Sequence, residues 1–284
     1  MTEILNGTPI ADRVMSSLKT RVGELRRHDI EPHLFLVQVG RNEAVETYVR
    51  AKIRRGAKIG IRVSHQMLDE NITYDDLKGE IARIAGRDDV NGIMIENPLP
   101  KHLDFFKAVE NIPYYKDVDG MTPTNQGMIN LRNEFLTPAT AASVTEILKG
   151  MNLPAGTTAS IINRSPVVGK PLAMMLLNRD YTVTVCHSKT KDIKSLSRNS
   201  EVLVTAVGVP NFIDRSFVTE NSIVVDVGIN PVQDTIRGDA NYEELFGYVR
   251  AITPVPGGVG PITATLIMEN TVRATEFQSL LSKR

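Results

Sequence analysis

The feature that most constrains this chain is an alternation, repeated along most of its 284 residues, of apolar runs of strand length with segments of helical period. Such a pattern predicts βαβ units and parallel sheets, because a parallel strand is reached only by a crossover long enough to hold a helix. In the first half, residues 33–40 (HLFLVQVG), 61–67 (IRVSHQM) and 90–96 (VNGIMIE) read as strands. Residues 42–58 read as a helix opened by Asn42, with Ala44, Tyr48, Ala51 and Ile53 as its apolar stripe, and residues 74–85 as a helix capped by Thr73. A further helix is expected over 103–110. Residues 112–136 dissolve into Tyr, Asp, Gly, Pro and Asn, the composition of a binding loop or an interdomain crossing. A connecting helix over 138–150 leads to a second alternation. Its strands fall at 158–163, 181–186, 201–207, 222–228 and 249–253, with a helix at 170–178 and a last helix from Ile262 to about Leu281. The spacing of the second half suits a dinucleotide-binding sheet.

Composition excludes several classes. Lys plus Arg and Asp plus Glu both number 33, so no net field draws the molecule to nucleic acid or to an anionic membrane. No apolar run approaches the roughly 18 residues of a membrane span. The start, MTEILNGTPIADRV, shows no basic segment followed by an apolar one, so a cytoplasmic protein is expected. One cysteine, Cys186, cannot close an intrachain disulfide or build a thiolate cage, and five scattered histidines lack paired spacing, so no metal site is expected.

Six places carry residues suited to chemistry. The segment Asn163–Pro171, NRSPVVGKP, joins a strand to a helix, where terminal amide groups cradle phosphate, although only Gly169 matches the glycine fingerprint. The next strand ends in Cys186, His187, Ser188, Lys189 and Thr190 with no acid for a ribose 2′-hydroxyl. Ser188, Lys189 and Arg164 suit a 2′-phosphate instead, which favours NADP over NAD. Tyr48 and Lys52 stand four apart on one helix and can face one ligand. Glu96 ends the third strand, Asp119 sits in KDVDG, and PVPGGVGP (254–261) supplies rigid backbone for close approach to a flat ligand.

Taken together, YVRAK (48–52), NPLP (97–100), KDVDG (116–120), RSPVVGKP (164–171), CHSKT (186–190), VDVGIN (225–230) and TPVPGGVGPIT (253–263) resemble the bifunctional methylenetetrahydrofolate dehydrogenase/methenyltetrahydrofolate cyclohydrolase family. The resemblance implies an α/β protein of two domains: an N-terminal three-layer folate domain, 1–136, and a Rossmann-type NADP-binding domain, 137–263. It further implies that the C-terminal helix, 264–284, packs back on the first domain, that folate lies in the cleft between the two, and that the chain forms a homodimer. The implied reactions are oxidation of 5,10-methylenetetrahydrofolate with NADP and hydrolysis of the methenyl product to 10-formyltetrahydrofolate.

Residue by residue, the resemblance makes Lys52 the proton-transfer group, stacks Tyr48 near the pterin and anchors the pterin amino groups on Asp119. Pro98, Leu99, Pro256, Gly257 and Gly258 would line the folate. Asn163, Arg164, Ser165, Gly169, Ser188, Val207, Gly208, Ile229 and Thr263 match cofactor positions. Two residues depart from the family pattern. Asn163 replaces a glycine, and asparagine tolerates unusual backbone angles. Glu96 replaces a glutamine bonded to the catalytic lysine, and a carboxylate there favours the ammonium form. That departure leaves open a dehydrogenase without hydrolase activity, or Glu96 serving as base itself. Amino-acid or shikimate-type dehydrogenases share the layout but need neither KDVDG nor PVPGGVGP. A binding module that retains NADP without turnover is the remaining alternative.

Overall fold

The computed structural model describes residues 1–233 and 235–281. The chain begins with β1 (Glu3–Ile4), α1 (Thr8–Arg26), β2 (His33–Val39), α2 (Glu43–Ile59), β3 (Arg62–Leu68), α3 (Tyr74–Ala85), β4 (Gly92–Ile95), α4 (Phe105–Val109) and α5 (Pro123–Asn130). It continues through α6 (Ala139–Lys149), β5 (Thr158–Ile162), α7 (Gly169–Leu177), β6 (Thr182–Cys186), α8 (Ile193–Arg198), β7 (Val202–Thr205) and β8 (Ile223–Asp226). The short hairpin β9 (Asn230–Val232) and β10 (Thr235–Arg237), then α9 (Tyr242–Leu245), β11 (Ala251–Ile252) and α10 (Val259–Leu281) complete it.

The elements form two compact units, one of residues 13–137 with 264 onward, the other of residues 1–12 with 138–263. Residues 282–284 of the expected C-terminal segment lie outside the described residues. The expected boundary placed residues 1–12 in the first unit, but β1 pairs in parallel with β11, with Glu3 opposite Ala251, and so joins the second.

In the first unit, β2 is central to a parallel sheet of order β3-β2-β4. Every residue of β2 is buried, as expected of a strand covered on both faces. Helix α2 is held at its start by Asn42, whose side chain accepts from the Val45 amide, and ends at Gly60 in the left-handed region at φ 84°. Its inward face is Val45, Val49, Lys52, Gly56 and Ile59, not the expected stripe, for Tyr48 and Ile53 are exposed. Glycine explains the rotation: a Cβ at Gly56 would collide with Val63 and Ile61, so this face alone lets the helix approach the sheet. On α10, Asn270 donates to the carbonyls of Val118 and Thr137 at 2.8 and 2.9 Å.

In the second unit six parallel strands run in the order β1-β11-β8-β7-β5-β6. The strand order reverses direction at β5, flanked by β6 and β7, which creates the crevice at the carboxyl ends where open α/β sheets bind ligands. Its core gathers Ile162, Cys186, Leu203, Val224 and Ile252 from the strands with Phe217 and Leu245 from the connections. The last helix starts at Val259, three residues before its expected start at Ile262, because Pro261 falls in the first turn, where no intrahelical N–H is required.

Candidate functional site

In the first unit, Lys52 and Glu96 meet. Lys52 projects from the inward face of α2, Glu96 follows the last residue of β4, and both are buried, at 9% and 5% exposure. The Lys52 Nζ lies 2.7 Å from each Glu96 carboxylate oxygen. Among the described residues the pair has no other side-chain hydrogen bond, so one Nζ hydrogen faces away from the carboxylate. Glu96 is fixed by its backbone, its amide donating to the Val37 carbonyl at 2.8 Å. The peptide bond from Asn97 to Pro98 that follows is cis, and the Asn97 side chain accepts from the Leu99 amide at 3.2 Å. Tyr48, one turn before Lys52, presents its ring at 52% exposure.

KDVDG reaches the same place by pairing with β4. Ile93 bridges Asp117 in parallel fashion, which advances Asp119 toward the strand end that carries Glu96. Its two aspartates have different surroundings. Asp117 is buried and accepts from the Thr122 amide at 2.7 Å and the Asn125 side chain at 2.9 Å. Asp119 accepts no hydrogen bond from any described residue. Burial first, then the neighbouring Asp117, pushes its carboxyl up to about 8, with Lys52 pulling down and Glu96 adding to the rise. The turn beyond is set by Gly120 at φ 68°, whose carbonyl accepts from Gln126 on α5. The Asn125 Oδ1 is buried and has no hydrogen-bond partner among the described residues.

Two further polar groups flank the pair and were not singled out from sequence. Gln38, on the strand between, accepts from the His65 ring at 3.0 Å and donates to the Gly40 carbonyl at 2.9 Å. Burial lowers the His65 pKa, while the charges of Glu96 and Glu46 raise it and that of Lys52 lowers it. Alternation along strands β2 and β3 was the only signal for them, since a polar residue inside an apolar run marks a position of special contact.

In the second unit the expected cofactor residues gather at the carboxyl ends of four adjacent strands. Asn163, Arg164 and Ser165 follow β5, Ser188 follows β6, Val207 and Gly208 follow β7, and Ile229 follows β8. Asn163 stands outside the left-handed region, so backbone tolerance is not its role. Its Oδ1 accepts from the amides of Ser165 and Gly169 at 2.8 and 3.0 Å, and its Nδ2 donates to the Ala206 carbonyl at 2.6 Å. A Cβ at Gly169 would strike the Asn163 backbone, so only glycine allows this close turn at the start of α7. Arg164 and Ser188 are exposed, and neither side chain hydrogen-bonds to another described residue. Thr263 shares a hydrogen bond with Ser143 at 3.0 Å. Gly257, at φ 109°, accepts from the Gly7 amide at 2.9 Å, after a cis bond from Val255 to Pro256. Gly258 has no room for a Cβ against Thr253 and Pro254.

The chain matches two family models, the tetrahydrofolate dehydrogenase/cyclohydrolase catalytic domain over residues 5–119 and the NAD(P)-binding domain of the same family over 138–279. It is 55% identical over 276 residues to a bifunctional protein FolD of Thermoplasma acidophilum, covering 97% of this chain and 98% of that one. A crystal structure of bifunctional 5,10-methylenetetrahydrofolate dehydrogenase/cyclohydrolase from Thermoplasma acidophilum superimposes with a TM-score of 0.92, covering 98% of this chain and all of that one. A Trypanosoma brucei methylenetetrahydrofolate dehydrogenase-cyclohydrolase, solved with NADP cofactor and an inhibitor, is 31% identical with a TM-score of 0.93, covering 98% of both chains.

Proposed function

The chain belongs to the tetrahydrofolate dehydrogenase/cyclohydrolase family, and from that premise we propose that it oxidises 5,10-methylenetetrahydrofolate with NADP and hydrolyses the resulting methenyl compound to 10-formyltetrahydrofolate. The observation that carries the reading at the level of chemistry is the buried Lys52 with both Glu96 oxygens on its Nζ, beside an Asp119 that accepts no hydrogen bond from any described residue. A pterin edge presents adjacent N–H donors, and a carboxylate with free acceptor positions complements it. The exposed Tyr48 ring offers a face for the planar pterin, with Pro98 and Leu99 of the same unit as its lining.

NADP, when bound, supplies the hydride acceptor. The protein's part in oxidation is positional, since the folate nitrogen lone pair expels the hydride from the one-carbon bridge. In hydrolysis, water adds to the methenyl carbon and loses a proton, the carbon–N5 bond breaks, and N5 takes up a proton. Lys52 is the group placed to carry that proton, and Glu96 holds its Nζ in one position. The reading of a dehydrogenase alone, drawn from Glu96, is not favoured, because the relative that shares 55% of its residues carries the bifunctional name. Held through both oxygens, Nζ is oriented at least as firmly as a single amide oxygen would hold it.

The cofactor residues fit a phosphate-bearing dinucleotide. A tight strand-to-helix turn needing glycine at 169 opens α7, and the end of β6 offers Ser188 and Lys189 where an acid would repel a 2′-phosphate. Replacing Arg164 with alanine is expected to raise KM for NADP about tenfold, the size of a lost charge-assisted phosphate contact, and to leave the weaker use of NAD unchanged. Initial rates with both dinucleotides check it; equal losses for the two would remove Arg164 from the 2′-phosphate. The same reading extends to a homodimer in the cytoplasm, and no helix among the described residues is long and apolar enough to cross a membrane. The whole reading is tested by supplying methylenetetrahydrofolate and NADP to the purified protein. NADPH absorbance must appear, and its absence with active substrate overturns the assignment.

A further inference from the structure

Outside the residues already considered, the second unit buries an aspartate that organises three loops. Asp239 is wholly buried, yet its carboxylate accepts from five donors. Its Oδ2 takes the amides of Val207 at 2.6 Å and Gly208 at 3.3 Å and the Thr205 hydroxyl at 3.3 Å. Its Oδ1 takes the Val209 amide at 3.1 Å and the Asn230 side chain at 2.9 Å. Three consecutive amides thus converge on one side chain, a backbone nest closed by an internal carboxylate. Gly208, at φ 72°, permits the curl. Asp239 is itself set by Asp226, whose carboxylate accepts from the amides of Gly228, Asp239 and Ala240 at 2.8, 3.1 and 2.7 Å. Glycine is required around this centre, since a Cβ at Gly228 would run into the Asp239 carboxylate and one at Gly238 into that of Asp226.

We propose that Asp239 is a positioning residue for NADP: it never reaches the ligand, but fixes the loops after β7 and β8 in the one arrangement that receives the dinucleotide. The inference rests on the placement of NADP against Val207, Gly208 and Ile229. With the amide hydrogens of residues 207–209 turned inward to Asp239, the loop's carbonyls and side chains are what it offers outward. Asn230 ties the neighbouring loop to the same carboxylate, so Ile229, half exposed beside it, holds its place relative to Gly208.

All five partners are donors, so a carboxylate is required and an amide will not serve. In Asp239→Asn, whichever way the amide is turned, its NH2 confronts at least two N–H donors. The expected result is a rise of about tenfold or more in KM for NADP and in the Kd for NADPH, read by NADPH fluorescence, with dehydrogenase kcat at saturating NADP within about threefold. Methenyl hydrolysis run without nucleotide keeps its rate, a split that a general loss of folding would not produce. Unchanged NADPH affinity in folded Asp239→Asn overturns the proposal, as does a parallel fall of both reactions. Should that variant not fold, Asn230→Ala and Thr205→Val each remove one donor and are expected to weaken NADPH about twofold to fivefold; no change in either overturns it. Ile229→Ala separates the two levels of the argument. If it leaves NADPH affinity unchanged, the placement of the dinucleotide fails; if it weakens NADPH while Asp239→Asn does not, only the role of Asp239 fails.

Discussion

Replacing Lys52 with methionine is expected to lower methenyltetrahydrofolate hydrolysis by about 10³-fold or more, the upper range for removing a positioned proton-transfer group. NADPH formation survives in part, because hydride loss is driven by the substrate's own nitrogen and needs the protein chiefly for placement. Stability falls as well. The substitution strands the Glu96 carboxylate, buried at 5% exposure and bonded, among the described residues, to Lys52 alone, and breaking such a pair by removing one partner costs about 3–5 kcal/mol. Adding Glu96→Gln to Lys52→Met removes the stranded charge and should recover more than half of the lost thermal stability without recovering hydrolysis. Thermal unfolding of the single and double variants beside a methenyl absorbance assay checks both parts. Recovery of hydrolysis in the double variant would show that Lys52 acts by structure alone.

The second large effect falls on Asp119 and has opposite signs for activity and stability. Asp119→Asn places amide hydrogens against the pterin donors, and kcat/KM for both reactions should fall about 10²-fold or more. The free protein, by contrast, should gain stability at alkaline pH. The folded carboxyl sits at about 8 against an ordinary value of 3.8, so between these values the unfolded chain releases the proton first. The stability Asp119 contributes is therefore complete below its unfolded pKa and is lost as pH rises through about 8. Asparagine cannot ionise, so Asp119→Asn should match wild type below about pH 4 and melt progressively higher than it as pH rises, the difference levelling off above about pH 8. Folate binding follows the same linkage. A pterin edge favours the ionised carboxylate, so KM for methylenetetrahydrofolate should fall as pH rises from 6 toward 8, by up to about tenfold per unit, and then level off. Melting temperatures and KM over that range decide it; a flat KM would mean that Asp119 binds the pterin in its neutral form.

Much of the fold was legible from periodicity. Helix α3 begins and ends where the pattern and Thr73 predict, and the central strands β2, β5 and β8 lie inside their apolar runs. Helix α1 carries a clear helical spacing at Val14, Leu18, Val22 and Leu25 but was overlooked, because β1 before it is only two residues long and leaves no apolar run to announce a βαβ unit. Helices α5, α8 and α9 have eight residues or fewer, too short to display a stripe over two full turns. On α2 the apolar pattern misleads. Tyr48 and Ile53 are exposed, and the buried face includes a glycine and a lysine, which a hydrophobicity count discards.

The site divides in the same way. Lys52 and Asp119 stood out in YVRAK and KDVDG and Glu96 at the end of its strand, and the registers of β2 with β4 and of β4 with KDVDG show why strand ends gather them. Gln38 and His65 were missed, since each stands alone as a polar residue inside a strand. Asp239 left no sequence signal either. It lies about thirty residues from the amides it holds, and only the order of the strands brings them together.

The measurement that tests the central claim most directly is hydrolysis of methenyltetrahydrofolate by the wild-type protein with no nucleotide present, followed as loss of methenyl absorbance against buffer alone. The account predicts turnover well above the buffer rate, abolished in Lys52→Met. A rate equal to buffer from protein that still forms NADPH from methylenetetrahydrofolate would contradict it, and would mean that Glu96 holds Lys52 out of proton transfer.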